Sequence, residues 1–158
     1  MPLATLSQYI RGAVGDAGRL RDGDPQRLHL IGWAWDGAGV LNATMAGTTA
    51  RVRSQIVYYP ACGALSEWRS MVPTLVLVGE ADQVTPSADC LALIDRDESP
   101  SEVMIARYQD AHHGFDVRAL VPAIDRRDGL FGRNLRYAYD EATRDAAWKD
   151  LTTFLETR

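Results

Sequence analysis

The chain has 158 residues and a formal net charge of −4, with 46% hydrophobic and 24% charged residues. That is room for one domain with a real core, and mild acidity without a basic cluster argues against a nucleic-acid partner. No apolar run is long enough to span a bilayer, and MPLATLSQYIRGAVGDAG lacks the basic start and solid apolar block of a signal peptide, so the expected location is cytoplasmic.

Apolar residues at helical spacing, Leu3, Leu6, Ile10 and Val14, predict a helix over about 3–20, weakened by Gly12, Gly15 and Gly18 and broken by DGDP. RLHLIGW (27–33) reads as a buried strand and DGAGVLNATMAG (36–47) as a helix of small residues. SQIVYYP (54–60) is a second strand, ended by Pro60. PTLVLVGE (73–80) is a third, its Val/Leu run suited to a parallel strand buried on both faces. SADCLALID (87–95) follows as a helix with Ser87 as its expected cap. SEVMIARYQ (101–109) is a fourth strand. A polar, irregular stretch with Gly129 and Gly132 then leads to a closing helix at about 136–156, with Ala147, Leu151, Phe154 and Leu155 on one stripe.

The order α-β-α-β-β-α-β-α, without internal repeat or low-complexity linker, predicts an α/β fold. Its core is a mostly parallel four-stranded sheet with helices on both faces. Cys62 and Cys90 are too few for a zinc site. The expected reading is two half-buried thiols, with a disulfide as the open alternative, since both lie past the carboxyl ends of consecutive strands.

Sheets of this kind carry their chemistry outside the carboxyl ends of the strands. That rule selects Trp33-Ala34-Trp35-Asp36 after the first strand, Glu80 and Asp82 after the third, and Asp110, His112, His113 and Asp116 after the fourth. An acid followed by a histidine, each just past a strand, is the order of the second and third members of a Ser/Cys…Asp…His triad. In such a triad the histidine takes the nucleophile's proton, and the carboxylate holds the imidazole in its working tautomer.

DPQRLHLIGW with its following glycines, IVYYPACG, PTLVLVGEADQVTP, YQDAHHGFD and YAYDEATRDAAWKDLTTFL together resemble the dienelactone hydrolase family of α/β hydrolases. They occur in family order across nearly the whole chain. The resemblance implies the C-terminal half of an α/β-hydrolase fold, so that residues 1–158 form a single truncated domain. It puts the family's acid on Asp82 and its histidine on His113. Trp35, directly after the nucleophile position, would supply one oxyanion N–H. It implies acyl transfer on a small-molecule ester or lactone.

Two departures stand out. Ala34 falls where the family has Cys or Ser, and a methyl group cannot attack a carbonyl. Asp36 falls where a glycine lets the helix pack against the strand, so it is expected to disturb the elbow further. The second departure is extent: complete members carry further strands ahead of this chain's first helix, with one oxyanion N–H. The strand at 27–33 is then an edge, and an apolar edge invites pairing. A homodimer joined across it is expected.

His112 is read as a neighbour without a proton-transfer role, and His29 as a satisfied core or edge histidine. Cys62 would need a rebuilt site to act as nucleophile, and Ser54 and Ser66 are weaker still. Asp110, His112, His113 and Asp116 match no standard metal spacing. No Gly-x-Gly-x-x-Gly follows a strand, so neither metal nor cofactor is expected. The favoured function is a dienelactone hydrolase-like protein, inactive or nearly so. One alternative is an active esterase or lactonase using another nucleophile or a water activated by His113. The other is a non-enzymatic ligand-binding or assembly module.

Overall fold

The structure, a computed structural model, describes residues 1–19, 24, 26–45, 51–97, 101–130 and 132–158. Four parallel strands form the sheet in the order β1 (Leu28–Trp33), β2 (Val52–Tyr58), β3 (Thr74–Gly79), β4 (Val103–Tyr108). Helices α1 (Leu3–Asp16), α2 (Ala34–Met45) and α3 (Ser87–Ile94) share one side, while α4 (Glu141–Glu156) covers the other.

The strand sequences explain this layering. On β2 and β3 nearly every residue is buried, because alternate side chains feed two separate cores. Val57, Val76 and Val78 pack with Val40, Leu41, Cys90 and Leu93. Ile56, Tyr58, Leu75 and Leu77 pack with Ala147, Leu151 and Phe154 of the stripe expected on α4. Buried Gln55 is satisfied by Thr44, whose hydroxyl donates to it at 2.8 Å, and by donating to Thr74 at 2.8 Å.

β1 is the edge strand that the resemblance implies, but it is only partly covered and not the buried strand that its apolar run suggests. Among the described residues no strand pairs its outer side, and Ile31 and Trp33 are 39% and 44% exposed. His29 on this strand shares a 2.8 Å hydrogen bond with Ser54. Partial burial, and then Arg27 and Arg53, lower its pKa.

Several boundaries differ from the sequence reading. The polar stretch before α4 contains an antiparallel hairpin, β5 (Ile124–Arg127) with β6 (Asn134–Tyr137). α4 therefore begins at Glu141, where Asp140 caps it by accepting the Thr143 N–H at 2.7 Å. α3 is preceded by Pro86 without a side-chain cap, so Ser87 is its first residue and does not cap it. The ends of the expected helices at residue 20 and at 46–47, and most of DGDP, lie outside the described residues.

Cys62 and Cys90 form a disulfide and do not remain as thiols. Parallel neighbours bring the carboxyl ends of β2 and β3 together. The short turn Cys62–Ala64 thus meets α3 with a Cα–Cα separation of 5.0 Å. Among the described residues no helix is long and apolar enough to cross a membrane.

Candidate active site

β1 passes into α2 without a loop, and the turn is made at Ala34, whose φ is +48°. An alanine gains nothing from this left-handed conformation and bears a steric penalty for it. The turn is tight because Gly32 and Gly37 let strand and helix touch: a Cβ on Gly32 would lie 2.9 Å from the Gly37 Cα. Asp36 is exposed and does not disturb this contact. The expected disruption at Asp36 is thus absent, because the glycine one residue later performs the packing. Ala61 N–H donates to the Ala34 carbonyl at 3.0 Å, tying the turn to the end of β2. Trp35 lies in the first turn of α2, where backbone N–H groups have no intrahelical acceptor.

Asp82 lies beyond β3 and is 2% exposed. Its Oδ1 accepts the Val84 and Thr85 N–H groups at 2.7 and 3.0 Å. Its Oδ2 accepts the Thr85 hydroxyl at 2.9 Å and His113 Nδ1–H at 2.8 Å. The carboxylate is thus fully solvated by protein donors, and His113 Nε2 is the nitrogen left for proton transfer.

The acid and histidine loops are joined directly. Ala81 N–H donates to the Ala111 carbonyl at 3.1 Å, and His112 Nδ1–H donates to the Ala81 carbonyl at 3.0 Å. His113 itself is 8% exposed, between the rings of Tyr59 and Tyr137 at centroid distances of 4.6 and 5.4 Å.

Tyr59 has a φ of +37°. Its hydroxyl donates to Asp116 Oδ1 at 2.5 Å, and its carbonyl accepts the Thr85 hydroxyl at 3.0 Å. Burial first, and then the bond to Asp116, push its phenol far above the ordinary range. Neither Tyr59 nor Thr85 stood out as a site residue in the sequence. Their signals were YYP at a strand's carboxyl end and the TP of GEADQVTP.

Ala34, Trp35, Thr85, Asp89 and His113 border one open cavity of about 520 Å³. The remaining sequence candidates lie elsewhere. Glu80 pairs with Arg107, Asp110 is exposed, and Asp116 accepts from Trp33 and Tyr59. Ser54 bonds His29, Ser66 lines a different hollow with Trp68, and Cys62 is locked in the disulfide. Among the described residues no three His, Cys, Asp or Glu side chains are grouped to hold a metal.

A sharp strand-to-helix turn, followed in order by a buried acid and a histidine at strand ends, is the arrangement of an α/β-hydrolase fold. The dienelactone hydrolase family model matches residues 7–158, and the chain belongs to that family.

The fold is similar to a candidate dienelactone hydrolase from Klebsiella pneumoniae subsp. pneumoniae MGH 78578, with a TM-score of 0.71 and 17% identity over 99% of this chain. It is similar to Thermogutta terrifontis esterase 2, with a TM-score of 0.60 and 13% identity over 96% of this chain. Dipeptidyl peptidase 4 of Porphyromonas gingivalis matches with a TM-score of 0.67 and 15% identity, over 97% of this chain and 22% of its own. At these identities the likeness is one of fold. The chain spans 62% of the Klebsiella protein and 63% of the esterase. No relative among curated proteins matches the sequence.

Proposed function

We propose that this chain is a dienelactone hydrolase-type site for small esters or lactones whose nucleophile position is empty, so that it binds such carbonyls and turns them over at or near background. The observation that carries this reading is Ala34: it holds the strained φ of +48° at the strand–helix turn, bordering a cavity with His113, and offers only a methyl group. Losing a triad nucleophile costs about 10⁶ in kcat. What remains is the Asp82–His113 pair and the Trp35 N–H.

Hydrolysis of p-nitrophenyl acetate tests the reading. The unmodified chain is expected near the uncatalysed rate, Ala34→Ser well above it, and Ala34→Ser/His113→Ala back at background. Ordinary esterase turnover by the unmodified chain, lost in His113→Ala, would overturn it. The intact Asp82–His113 bond favours one second reading, in which His113 activates water directly. That mechanism escapes fluorophosphonate labelling yet still requires His113. A cysteine nucleophile at Cys62 is disfavoured by the disulfide, since a nucleophilic cysteine must be a thiolate.

The partner assigned to the outer edge of β1 is a second copy of the chain. Among the described residues no strand pairs this edge, and it lies beside exposed Ile31 and Trp33. Arg27 stands before the strand and Asp36 just after it, both exposed. Antiparallel pairing about a two-fold axis therefore brings opposite charges together at each end.

A further inference from the structure

Asp116 lies three residues after His113 and takes no part in the acid–histidine pair, whose carboxylate is Asp82. Its two oxygens reach two different strand ends. Oδ2 accepts Trp33 Nε1–H at 2.8 Å, and Oδ1 accepts the Tyr59 hydroxyl at 2.5 Å. Trp33 is the residue directly before Ala34. Tyr59 is the residue directly after β2, and its ring lies against the His113 imidazole.

The link continues inward. The Tyr59 carbonyl accepts the Thr85 hydroxyl, which also reaches Asp82 Oδ2 at 2.9 Å and His113 Nδ1 at 3.1 Å. The Tyr59 N–H donates to the Leu77 carbonyl at 2.7 Å. These bonds hold a non-glycine residue at a φ of +37°, a conformation that persists only where its surroundings over-determine it. One half-buried carboxylate is thus the shared acceptor for the turn-bearing strand and for the wall behind the histidine. Hydrogen bonds to an ionised carboxylate are roughly twice as strong as neutral ones.

From these contacts we infer that Asp116 is a positioning residue: it sets the His113 imidazole against residue 34 by fastening the histidine loop to the ends of β1 and β2. It acts through Trp33 and Tyr59, both its oxygens being taken by them. The inference rests on the reading of this cavity as an ester or lactone site. An imidazole set loose by an ångström loses about 10²-fold in rate with little effect on binding.

Two readouts test it. In the Ala34→Ser background, Asp116→Ala is expected to lower kcat for p-nitrophenyl acetate by about 10- to 100-fold with KM nearly unchanged. Asp116→Asn, which keeps an acceptor oxygen, should recover part of this. Tyr59→Phe should cause a smaller loss alone and none on top of Asp116→Ala. In the otherwise unmodified chain, the low-field Nδ1–H resonance of His113 should broaden in Asp116→Ala and sharpen again in Asp116→Asn.

A folded Asp116→Ala protein that keeps both kcat and the histidine resonance would overturn the assignment. So would a variant that lost only thermal stability. If Ala34→Ser gains no activity, it is the functional reading that fails, and the resonance alone then decides the role of Asp116.

Discussion

The carbonyl of Ala111 occupies the space that a β-carbon on Gly79 would need. This contact lets the loop after β3 lie on the loop after β4, so that Ala81 and Ala111 bond and Asp82 meets His113. The obstructing atoms are backbone and cannot swing aside. Gly79→Ala is therefore expected to cost about 2 kcal/mol or more, a fall in Tm of roughly 4–8 °C. A melt within 1–2 °C of the parent, on the order of a surface substitution, would show that the loops yield freely.

High pH should unfold the protein through its tyrosines. Burial, followed by the nearby carboxylates Asp116 and Asp150, pushes Tyr58 up to about 12. Burial and the bond to Asp150 push up Tyr108, as burial and Asp116 do Tyr59. Each folded phenol keeps its proton where the unfolded chain has lost it. The folded state thus binds more protons above pH 10, and stability falls as pH rises past that value. Tyr59→Phe and Tyr108→Phe should each flatten this loss in base-dependent melts. If all six tyrosines of the sequence ionised near pH 10 in protein that stays folded, the prediction would fail.

The disulfide closes a loop across a sequence separation of 28. Cross-linking a loop of that size stabilises by about 3 kcal/mol. Replacing both cysteines by serine should lower Tm by roughly 6–12 °C. Thiol titration of denatured, unreduced protein should find no free cysteine; two titrating thiols would sink the prediction. Cytosolic proteins keep such pairs reduced, so this result also bears on the cytoplasmic location expected from the N-terminus.

Assembly is tested at the outer edge of β1. The unmodified chain should sediment as a dimer at micromolar concentration, and Ile31→Lys as a monomer, because a lysine on an edge strand opposes pairing. Arg27→Glu should weaken the dimer, and Arg27→Glu/Asp36→Arg should restore it. A clean monomer of the unmodified chain would end this proposal.

What could be read in advance followed burial. β2 and β3 were visible as apolar runs because both faces are covered, and the α4 stripe because a single face is. The hairpin was invisible because every residue of β5 is exposed, leaving no alternation to detect. The closing helix reads as starting near residue 136, over the Arg136–Tyr137 end of β6, because Tyr137 alone fits either period. At the site, Asp82 and His113 were selected by order and strand ends. The joint roles of Tyr59, Thr85 and Asp116 depend on hydrogen bonds between distant loops, which no local pattern records. Asp36 misled because the glycine that matters for packing is its neighbour, Gly37.

The bent backbone at Ala34 also bears on how this chain could change. Presenting a side chain at a turn of this kind is the demanding part of building such a site, because it needs Gly32, Gly37 and a tolerated left-handed residue together. All three are in place. Alanine and serine codons differ by a single base, so one oxygen atom and one nucleotide separate this turn from a hydroxyl facing the His113 cavity. On the proposed reading, the demanding backbone arrangement is in place and only a hydroxyl at position 34 is absent.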